Sequence, residues 1–238
     1  YLESKGIKFT GSSSLASKKA IDKNLSKLLC VKHNIPTPIW FMIEGVKKGN
    51  ENNLVDSIKK AYKEDIKKFY NYNVYDCVIK PNDEGSSIGV KIIKNFYENL
   101  HLLEELCSST MIEKYIDGRE LTVSILDNEV LPIVEIIPSG EYYDYKCKYT
   151  KFQSEYVVPA EIDKNTQELL SAYSLKIHKL IGCGSYSRID FRLSEDNEVC
   201  FLELNTLPGF TDTSLFPKSA KAAGLEYKDL IKKIIEIT

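Results

Sequence analysis

Charged side chains interrupt an otherwise apolar, strand-like stretch near the C-terminal end, which reads RIDFRLSEDNEVCFLELN from residue 188. Residues two apart in a strand share a face, so Arg188 and Asp190 lie on one face of the first predicted strand. The same alternation puts Phe201, Glu203 and Asn205 on one face of the second strand. The stretch is therefore predicted to be a hairpin that presents carboxylates, an amide and a guanidinium together.

The turn between these strands decides which charged residues face each other. If residues 196–197 form a two-residue hairpin loop, counting back places Asp190 opposite Glu203 and Arg188 opposite Asn205. Opposed carboxylates destabilise a sheet unless a cation lies between them, and carboxylate and amide oxygens are the ligands that Mg²⁺ takes. A solvated hairpin face is the simpler alternative, and the residues alone leave both interpretations open.

A second candidate site follows Lys80, which ends an apolar strand just before the glycine-containing segment 83–89. Gly85 lets backbone N–H groups approach a phosphate closely, and Ser86 and Ser87 add hydroxyl donors. A lysine beside such a loop supplies a positive charge to the same anion. The segment has neither a Walker A pattern nor a GxGxxG motif, so a plain hairpin turn remains the alternative.

Two further groups of residues have a weaker chemical signal. The strand end 113–116 could present a carboxylate and backbone groups to an adenine edge, and Glu120 lies where it could reach a ribose. The segment 143–149, rich in tyrosine and lysine, is interpreted as an ordered flap over a ligand. Taken alone, these residues are equally compatible with surface charges and a solvated loop.

The composition is that of a globular protein of 238 residues, with 43% hydrophobic and 28% charged residues. A formal net charge of −2 gives no basic footprint for nucleic acid. The six cysteines show no CxxC pair and there are only three histidines, which argues against structural zinc and for reduced thiols in the cytoplasm. No apolar run is long enough to span a membrane.

The elements that must position these residues are a mixture of helices and strands. A boundary is expected near residues 115–118, where a mixed block ends and a more antiparallel block begins, with a ligand cleft between the blocks. The predicted helices cover 17–34, the region of 54–62, 96–107, a segment starting at 165 and a closing one at 230–235. The predicted strands cover 39–43, 77–80, 90–93, 110–116, 121–125, 130–137 and the hairpin.

Taken in order, these segments resemble the D-alanine–D-alanine ligases of the ATP-grasp superfamily across essentially the whole chain. The resemblance rests on motifs that occur jointly and in the family's order. They are Leu15-Ala16-Ser17 through Asp22-Lys23, Val78-Ile79-Lys80-Pro81 with the loop to Gly89, the segment 113–120, Tyr143-Asp144-Tyr145 with Lys148-Tyr149, Arg188-Ile189-Asp190, and the segment 203–211.

The resemblance implies an α+β ATP-grasp fold, in which two α/β subdomains hold the nucleotide between them. Residues 17–116 would form the central subdomain, and 117–238 the C-terminal subdomain with the metal and second-substrate site. Residues 1–16 resemble the connection from the N-terminal domain of these ligases. The chain begins at Tyr1 rather than Met, so we expect a fragment of a longer protein that binds ATP and Mg²⁺ but forms little dipeptide alone.

The resemblance also implies ATP-dependent joining of two D-alanines through an acyl phosphate, for peptidoglycan precursor synthesis, with two Mg²⁺ or Mn²⁺ ions. Each expected role is carried by a small group of residues. Phosphate binding is expected of Lys23, Lys80, Gly85, Ser86, Ser87 and Lys148; adenine binding of Glu113, Lys114, Tyr115 and Ile116; ribose binding of Glu120; metal binding of Asp190, Glu203 and Asn205; oxyanion stabilisation of Arg188; second-substrate binding of Gly209, Ser214 and Leu215; and flap closure of Ser86 and Tyr149.

Two alternatives to this function stay open at the level of sequence. The chain could be an ATP- and Mg²⁺-binding module without catalysis, or an ATP-grasp ligase for a different amino acid pair. Tyr149, and the lack of histidine between Glu141 and Ala160, favour an amine rather than a hydroxy acid as second substrate. A homodimer of the full-length protein is expected from the family, with contacts largely in the N-terminal domain.

Overall fold

The computed structural model describes residues 1–43, 62–86, 88–105, 109–138, 154–211 and 213–237. Within these ranges the chain forms α-helices, short 3-10 helices and antiparallel strands. The α-helices are α1 (Ser14–Ile21), α2 (Lys23–Lys32), α3 (Lys63–Asn71), α4 (Lys164–Ile181), α5 (Leu215–Ala222) and α6 (Tyr227–Glu236), and the 3-10 helices are Glu3–Lys5 and Leu100–Glu105. In the described ranges, no helix has the length and apolar character needed to cross a membrane.

The strands form two separate antiparallel sheets in the described residues. β1 (Trp40–Ile43), β2 (Cys77–Pro81), β3 (Lys91–Ile93) and β4 (Thr110–Lys114) form one, in the order β1-β4-β2-β3. The other contains β5 (Arg119–Leu126), β6 (Glu129–Val130), β7 (Val134–Pro138), β8 (Ser154–Val157), β9 (Tyr186–Leu193) and β10 (Val199–Asn205), in the order β10-β9-β5-β7-β8 with β6 paired to β5.

The chain divides into two compact units. Pro38–Ile116 forms one, called here the inserted unit, and Tyr1–Thr37 together with Asp117–Thr238 forms the other, called here the discontinuous unit. The discontinuous unit resumes at Asp117. Residues 17–37, expected in the central subdomain, group instead with the C-terminal part, because α1 and α2 bury Ala16, Ala20 and Cys30 in the same core as the second sheet.

The inserted unit is built around aromatic and aliphatic side chains of its sheet and α3. Phe41 of β1 and Phe69 of α3 meet edge to face, with ring centroids 4.9 Å apart. Phe96 joins the same buried cluster from a loop. Of the helix predicted over 96–107, the described residues up to 105 show the 3-10 turn Leu100–Glu105, and Phe96 lies in the core ahead of it. Residues 106 and 107 lie outside the described residues.

The sheet of the discontinuous unit has one apolar face and one face that is partly apolar and partly polar. Leu121, Val123 and Ile125 of β5 alternate toward a core formed with α1, α2 and α4. On the opposite face, Leu126 packs with Phe216 of α5 and other residues of α5 and α6. The rest of that opposite face carries polar side chains, which form the site described below.

The helix predicted over 17–34 is divided at Asp22. This residue has an extended backbone (φ −75°, ψ 96°), and its side chain accepts a hydrogen bond from the Leu25 N–H, which caps α2. The cap makes Lys23 the first residue of α2. Similarly, α4 is capped by Asp163 rather than starting at Asn165, with the Asp163 carboxylate accepting from the Thr166 N–H.

Candidate functional site

The β9–β10 hairpin has the predicted residue pairs, but its loop is longer than predicted and β10 contains a bulge. Asp190 pairs with Glu203 and Arg188 with Asn205, as the sequence predicted. The connection is not two residues, however, because β9 ends at Leu193 and residues 194–198 form the loop. That longer loop shifts the pairing by one residue, and a β-bulge between Phe201 and Glu203 shifts it back.

The bulge also decides which face of β10 is polar. The prediction that Phe201 shares a face with Glu203 and Asn205 is wrong. Phe201 is fully buried in the core, edge to face with Phe191 at 6.2 Å between ring centroids. Because Leu202 is the extra residue of the bulge, Glu203 and Asn205 turn to the opposite face, where Asp190 lies.

The Asp190 carboxylate is the best-coordinated group on this polar face. It is nearly buried and accepts hydrogen bonds from Arg188 Nε at 2.9 Å, Arg188 Nη2 at 2.7 Å and Asn205 Nδ2 at 3.2 Å. Thr122 Oγ1, from the paired position of β5, donates a further bond at 2.5 Å. Such donors stabilise the ionised carboxylate and fix its orientation.

Glu203 is held more loosely than Asp190. Lys23, at the start of α2, places its Nζ 3.8 Å from Glu203 Oε2. The lysine side chain is largely buried, whereas the Glu203 side chain is 25% exposed. The carboxylate therefore has a cation near it and still has surface accessible to a ligand.

Arg192 and Glu120 extend the polar face toward the other end of the strands. They occupy paired positions on β9 and β5, with Arg192 Nη1 3.5 Å from Glu120 Oε2. We refer to the whole set as the charged face. Its residues are Glu120, Thr122, Arg188, Asp190, Arg192, Glu203 and Asn205.

The oxygen donors of the charged face fit a hard divalent cation. The described residues contain no cluster of three or more His, Cys, Asp or Glu side chains that could hold a metal, so the metal prediction depends on Asp190, Glu203 and the amide of Asn205. Two carboxylates and one amide oxygen are suitable Mg²⁺ ligands. Binding would require Asn205 to turn its oxygen inward and Arg188 to release part of its bidentate contact with Asp190.

The predicted second-substrate residues lie around the start of α5. Ser214 is the N-cap residue, and its Oγ accepts a hydrogen bond from the Thr211 N–H at 3.0 Å. Gly209 is packed so closely that a Cβ there would lie 2.6 Å from Ser214 Oγ. Leu215 is buried against Val134 and Ile136, so only its backbone is suited to ligand binding.

In the inserted unit, Lys80 and Glu113 form a tight buried pair. Lys80 Nζ donates to Glu113 Oε1 at 2.5 Å, and both side chains are less than a tenth exposed. The pair is brought together by β2 and β4, where Val78 is the direct partner of Glu113. The two residues were assigned to phosphate and adenine separately, and the structure places them in contact.

The loop after Lys80 is described except for Ser87. A Cβ added at Gly85 would meet none of the described atoms within 4 Å, and Ser86 adopts a left-handed backbone with φ 56°. Gly89, with φ 70°, approaches Pro81 so closely that a Cβ would lie 2.9 Å from its Cγ. Three predicted residues, Ser87, Lys148 and Tyr149, lie outside the described residues.

The remaining adenine candidates lie at the end of β4 and just after it. The Lys114 N–H donates to Ile39 O at 2.9 Å, and the Tyr115 N–H donates to Asp76 O at 2.9 Å. Lys94 Nζ lies 4.9 Å from the centre of the Tyr115 ring. Ile116 is the last residue of the inserted unit.

The buried cysteines and histidine of the described residues are unsuited to nucleophilic or acid–base chemistry. Burial raises the pKa of Cys30 and Cys77 to about 12, and that of Cys183 to about 11. Burial also lowers the pKa of His178, whose Nδ1 contacts Ser187 Oγ at 2.7 Å. The thiols therefore stay protonated at neutral pH.

Sequence reasoning missed Thr122, which bonds Asp190, and the buried Lys27. Thr122 could have been found from its place on a strand in which Leu121 and Val123 face the core. Lys27, which has no exposed surface, has no such signal, because a lysine on an amphipathic helix is ordinarily predicted to face solvent.

Comparisons with known proteins identify relatives over nearly the whole chain. The family model described as "D-ala D-ala ligase C-terminus" matches residues 40–236. The D-alanine--D-alanine ligase of Aquifex aeolicus is 38% identical over 98% of this chain and 75% of its own length. D-alanine--D-alanine ligase A of Bacillus cereus is 40% identical over 99% of this chain and 73% of its own.

Solved structures of such ligases also match nearly the whole chain. A D-alanine--D-alanine ligase from Bacillus anthracis complexed with ATP matches with a TM-score of 0.77 and 35% identity, covering 99% of this chain and 72% of that one. The VanG D-Ala:D-Ser ligase from Enterococcus faecalis matches with a TM-score of 0.76 and 27% identity, covering 99% and 66%.

Proposed function

Since this chain belongs to the D-alanine–D-alanine ligase family and has its α+β ATP-grasp fold, we propose that it joins two D-alanines in an ATP-dependent reaction for peptidoglycan precursor synthesis. The observation that carries the proposal is that Arg188 and Asn205 both donate hydrogen bonds to the Asp190 carboxylate, with Glu203 paired opposite Asp190. Such a set offers carboxylate and amide oxygens to Mg²⁺, which neutralises and orients anionic reactants when bound, and an arginine that can stabilise an oxyanion.

In the first half-reaction, a carboxylate oxygen of one D-alanine attacks the γ-phosphorus of ATP and ADP leaves. Lys23, Lys80 and the loop containing Gly85, Ser86 and Ser87 bind the phosphates by positive charge and N–H or hydroxyl donors. Lys148 neutralises the transferring group. Positioning and charge neutralisation supply most of the catalysis in such transfers, so no side chain need act as a nucleophile.

Nucleotide recognition is assigned to the end of β4 and the start of β5. Glu113 accepts a hydrogen bond from the adenine amino group. Glu120 binds the ribose hydroxyls. The backbone of Lys114, Tyr115 and Ile116 lies along the adenine.

The metal role is assigned to Asp190, Glu203 and Asn205, which would hold two Mg²⁺ or Mn²⁺ ions. When bound, the ions neutralise charge that develops on the phosphates. Thr122 keeps the Asp190 carboxylate oriented through its 2.5 Å hydrogen bond.

In the second half-reaction, the amine of the second D-alanine attacks the acyl carbon, loses a proton and displaces phosphate. Arg188 donates hydrogen bonds to the oxyanion of the tetrahedral intermediate. Gly209, Ser214 and Leu215 place backbone and hydroxyl donors at the start of α5, where a carboxylate is stabilised. Ser86 and Tyr149 close the site.

The substrates are small molecules, and we propose a cytoplasmic enzyme with neither nucleic acid nor membrane as a partner. A homodimer is proposed for the full-length protein from the family resemblance. Sedimentation of the purified protein, with and without ATP, measures that state directly.

The proposed function is tested with Asp190→Asn and a matched control. Phosphate release and dipeptide mass are measured on the full-length protein with ATP, Mg²⁺ and D-alanine, and nucleotide binding is measured in parallel. Asp190→Asn is expected to lower turnover by about 100-fold or more, because each ~1.4 kcal/mol of lost charge stabilisation is tenfold in rate. Asp196→Asn makes the same change in the exposed hairpin loop and is expected to leave turnover unchanged.

Equal turnover by wild type and Asp190→Asn would refute the metal assignment. Nucleotide binding without any turnover would favour the alternative of a binding module. One of the similar solved structures is a D-Ala:D-Ser ligase, so the identity of the second substrate is tested as well. D-serine is offered in competition with D-alanine. A mixed dipeptide as the main product would favour the different amino acid pair.

A further inference from the structure

Lys27 is a lysine inside the protein that none of the proposed steps uses. It has no exposed surface, and its Nζ donates a 2.6 Å hydrogen bond to Thr37 Oγ1. The Thr37 hydroxyl in turn donates to the backbone oxygen of Phe201 at 2.9 Å. Burying an ammonium group is costly unless oxygen atoms solvate it, so this location needs a structural reason.

The hydrogen bonds from Lys27 to Thr37 and from Thr37 to Phe201 lead to the bulge of β10. β10 is the edge strand of its sheet, so the backbone groups on its outer side have no neighbouring strand among the described residues. At Phe201 both groups are bonded instead to the segment that follows α2. The Phe201 N–H donates to Pro36 O at 2.8 Å, and Phe201 O accepts from Thr37.

This contact fixes the residue on which the polarity of β10 depends. Phe201 is the last residue before the bulge, and Leu202 is the residue left unpaired. Without the bulge, the pairing of Phe201 with Phe191 would continue and place Glu203 opposite Ile189, which is fully buried in the core. The carboxylate reaches the charged face only because the strand is bulged here.

We propose that Lys27 and Thr37 are positioning residues, which hold the bulge of β10 and thereby direct Glu203 and Asn205 toward Asp190. The proposal rests on the metal role assigned above to these three residues. Neither Lys27 nor Thr37 touches a substrate in this scheme. Both act on the site through the backbone of Phe201.

The test compares Thr37→Val, which keeps the shape and loses the hydroxyl, with Thr37→Ser, which keeps the hydroxyl. Binding of Mn²⁺ alone is followed by electron paramagnetic resonance, and hydrogen exchange of the Phe201 amide is followed by NMR. Thr37→Val is expected to weaken Mn²⁺ binding about tenfold, as loss of a supporting hydrogen bond typically does, and to speed the Phe201 exchange. Thr37→Ser is expected to restore both.

Lys27→Met is a second variant, which leaves the Thr37 bond to Phe201 in place. It is also expected to weaken Mn²⁺ binding and to speed the exchange of the Phe201 amide. Thr166→Val is the stability control. It removes a hydroxyl that bonds Asp163 at 2.6 Å in the same unit but far along the chain from the bulge. It is expected to lower the melting temperature while leaving Mn²⁺ affinity unchanged.

Deleting Leu202 gives the sharpest discrimination, because a strand one residue shorter pairs Glu203 with Asp190 without a bulge. In that background, Thr37→Val is expected to leave Mn²⁺ affinity unchanged. A persistent tenfold loss there, or unchanged affinity and Phe201 exchange in Thr37→Val alone, would overturn the proposal. If Glu203→Gln binds Mn²⁺ as the wild type does, the metal assignment fails, and Phe201 exchange alone decides whether Lys27 and Thr37 hold the bulge.

Discussion

Two lysine–carboxylate pairs, one in each unit, differ in the distance between their charged atoms and in the exposure of the carboxylate. Lys80 and Glu113 are 2.5 Å apart, with side chains 8% and 3% exposed. Lys23 and Glu203 are 3.8 Å apart, and the Glu203 side chain is 25% exposed. A closed buried pair depends on both partners for stability, whereas a loose pair leaves a carboxylate able to exchange its cation for a ligand. The difference predicts that the first pair matters more for folding and the second more for binding.

The largest effect is expected for Lys80→Met, which leaves the Glu113 carboxylate buried. Removing one partner of a buried pair typically costs ~3–5 kcal/mol of unfolding free energy. The single tryptophan, Trp40, lies in β1 of the inserted unit, so urea unfolding followed by its fluorescence reports this unit. The double variant Lys80→Met with Glu113→Leu is the control and should recover most of the loss. A loss below ~1 kcal/mol in the single variant would contradict a closed pair.

A smaller effect on stability is expected for Lys23→Met. Lys23 Nζ and Glu203 Oε2 are 3.8 Å apart and the Glu203 side chain is 25% exposed, so water can solvate the remaining carboxylate and the urea midpoint should fall less than in Lys80→Met. Its KM for ATP should rise nonetheless, because the lysine is assigned to the phosphates. Circular dichroism and steady-state kinetics check the two halves of this expectation, with Lys23→Arg as the charge-conserving control. A stability loss as large as that of Lys80→Met would remove the contrast between the pairs.

The smallest effect is expected on the pH dependence of stability, and it concerns His178 of the discontinuous unit. Burial lowers the pKa of His178 from its ordinary value of 6.5, so the unfolded chain binds a proton more readily than the folded one. Its contribution to stability is complete above pH 6.5 and is lost as the pH falls toward the folded pKa. Urea unfolding between pH 7.5 and 5.5 should show this slope in the discontinuous unit, and His178→Gln should flatten it. An unchanged slope in that variant would assign the acid sensitivity elsewhere.

The sequence predicted much of the fold where hydrophobic periodicity was strong. The alternation of Leu121, Val123 and Ile125 correctly predicted β5 with its core face. Helix boundaries were less accurate, because Asp22 interrupts a continuous helical pattern with a cap that depends on local backbone geometry. The short helix α5 was missed, since its buried face comes from packing against β5 and β7 rather than from a long periodic pattern.

The site was predictable in its residue types and less so in its contacts. The pairing of Asp190 with Glu203 was correct, although a two-residue loop was assumed and no bulge was foreseen. Two one-residue shifts of opposite sign cancelled, and sequence alone contains no signal for either. The contact between Lys80 and Glu113 was also unforeseen, because it depends on the diagonal placement of neighbours across β2 and β4.

The discontinuous unit has a consequence for the order in which the chain folds during synthesis. α1 and α2 leave the ribosome before the inserted unit, but Thr37 must wait for Phe201, which lies 164 residues later in the chain. At ~5–20 residues per second, this delay is roughly 10 to 30 seconds. The inserted unit, whose strands are all made between Pro38 and Ile116, can complete its own core in that interval. Two amphipathic helices therefore stay without their native partner while the inserted unit folds.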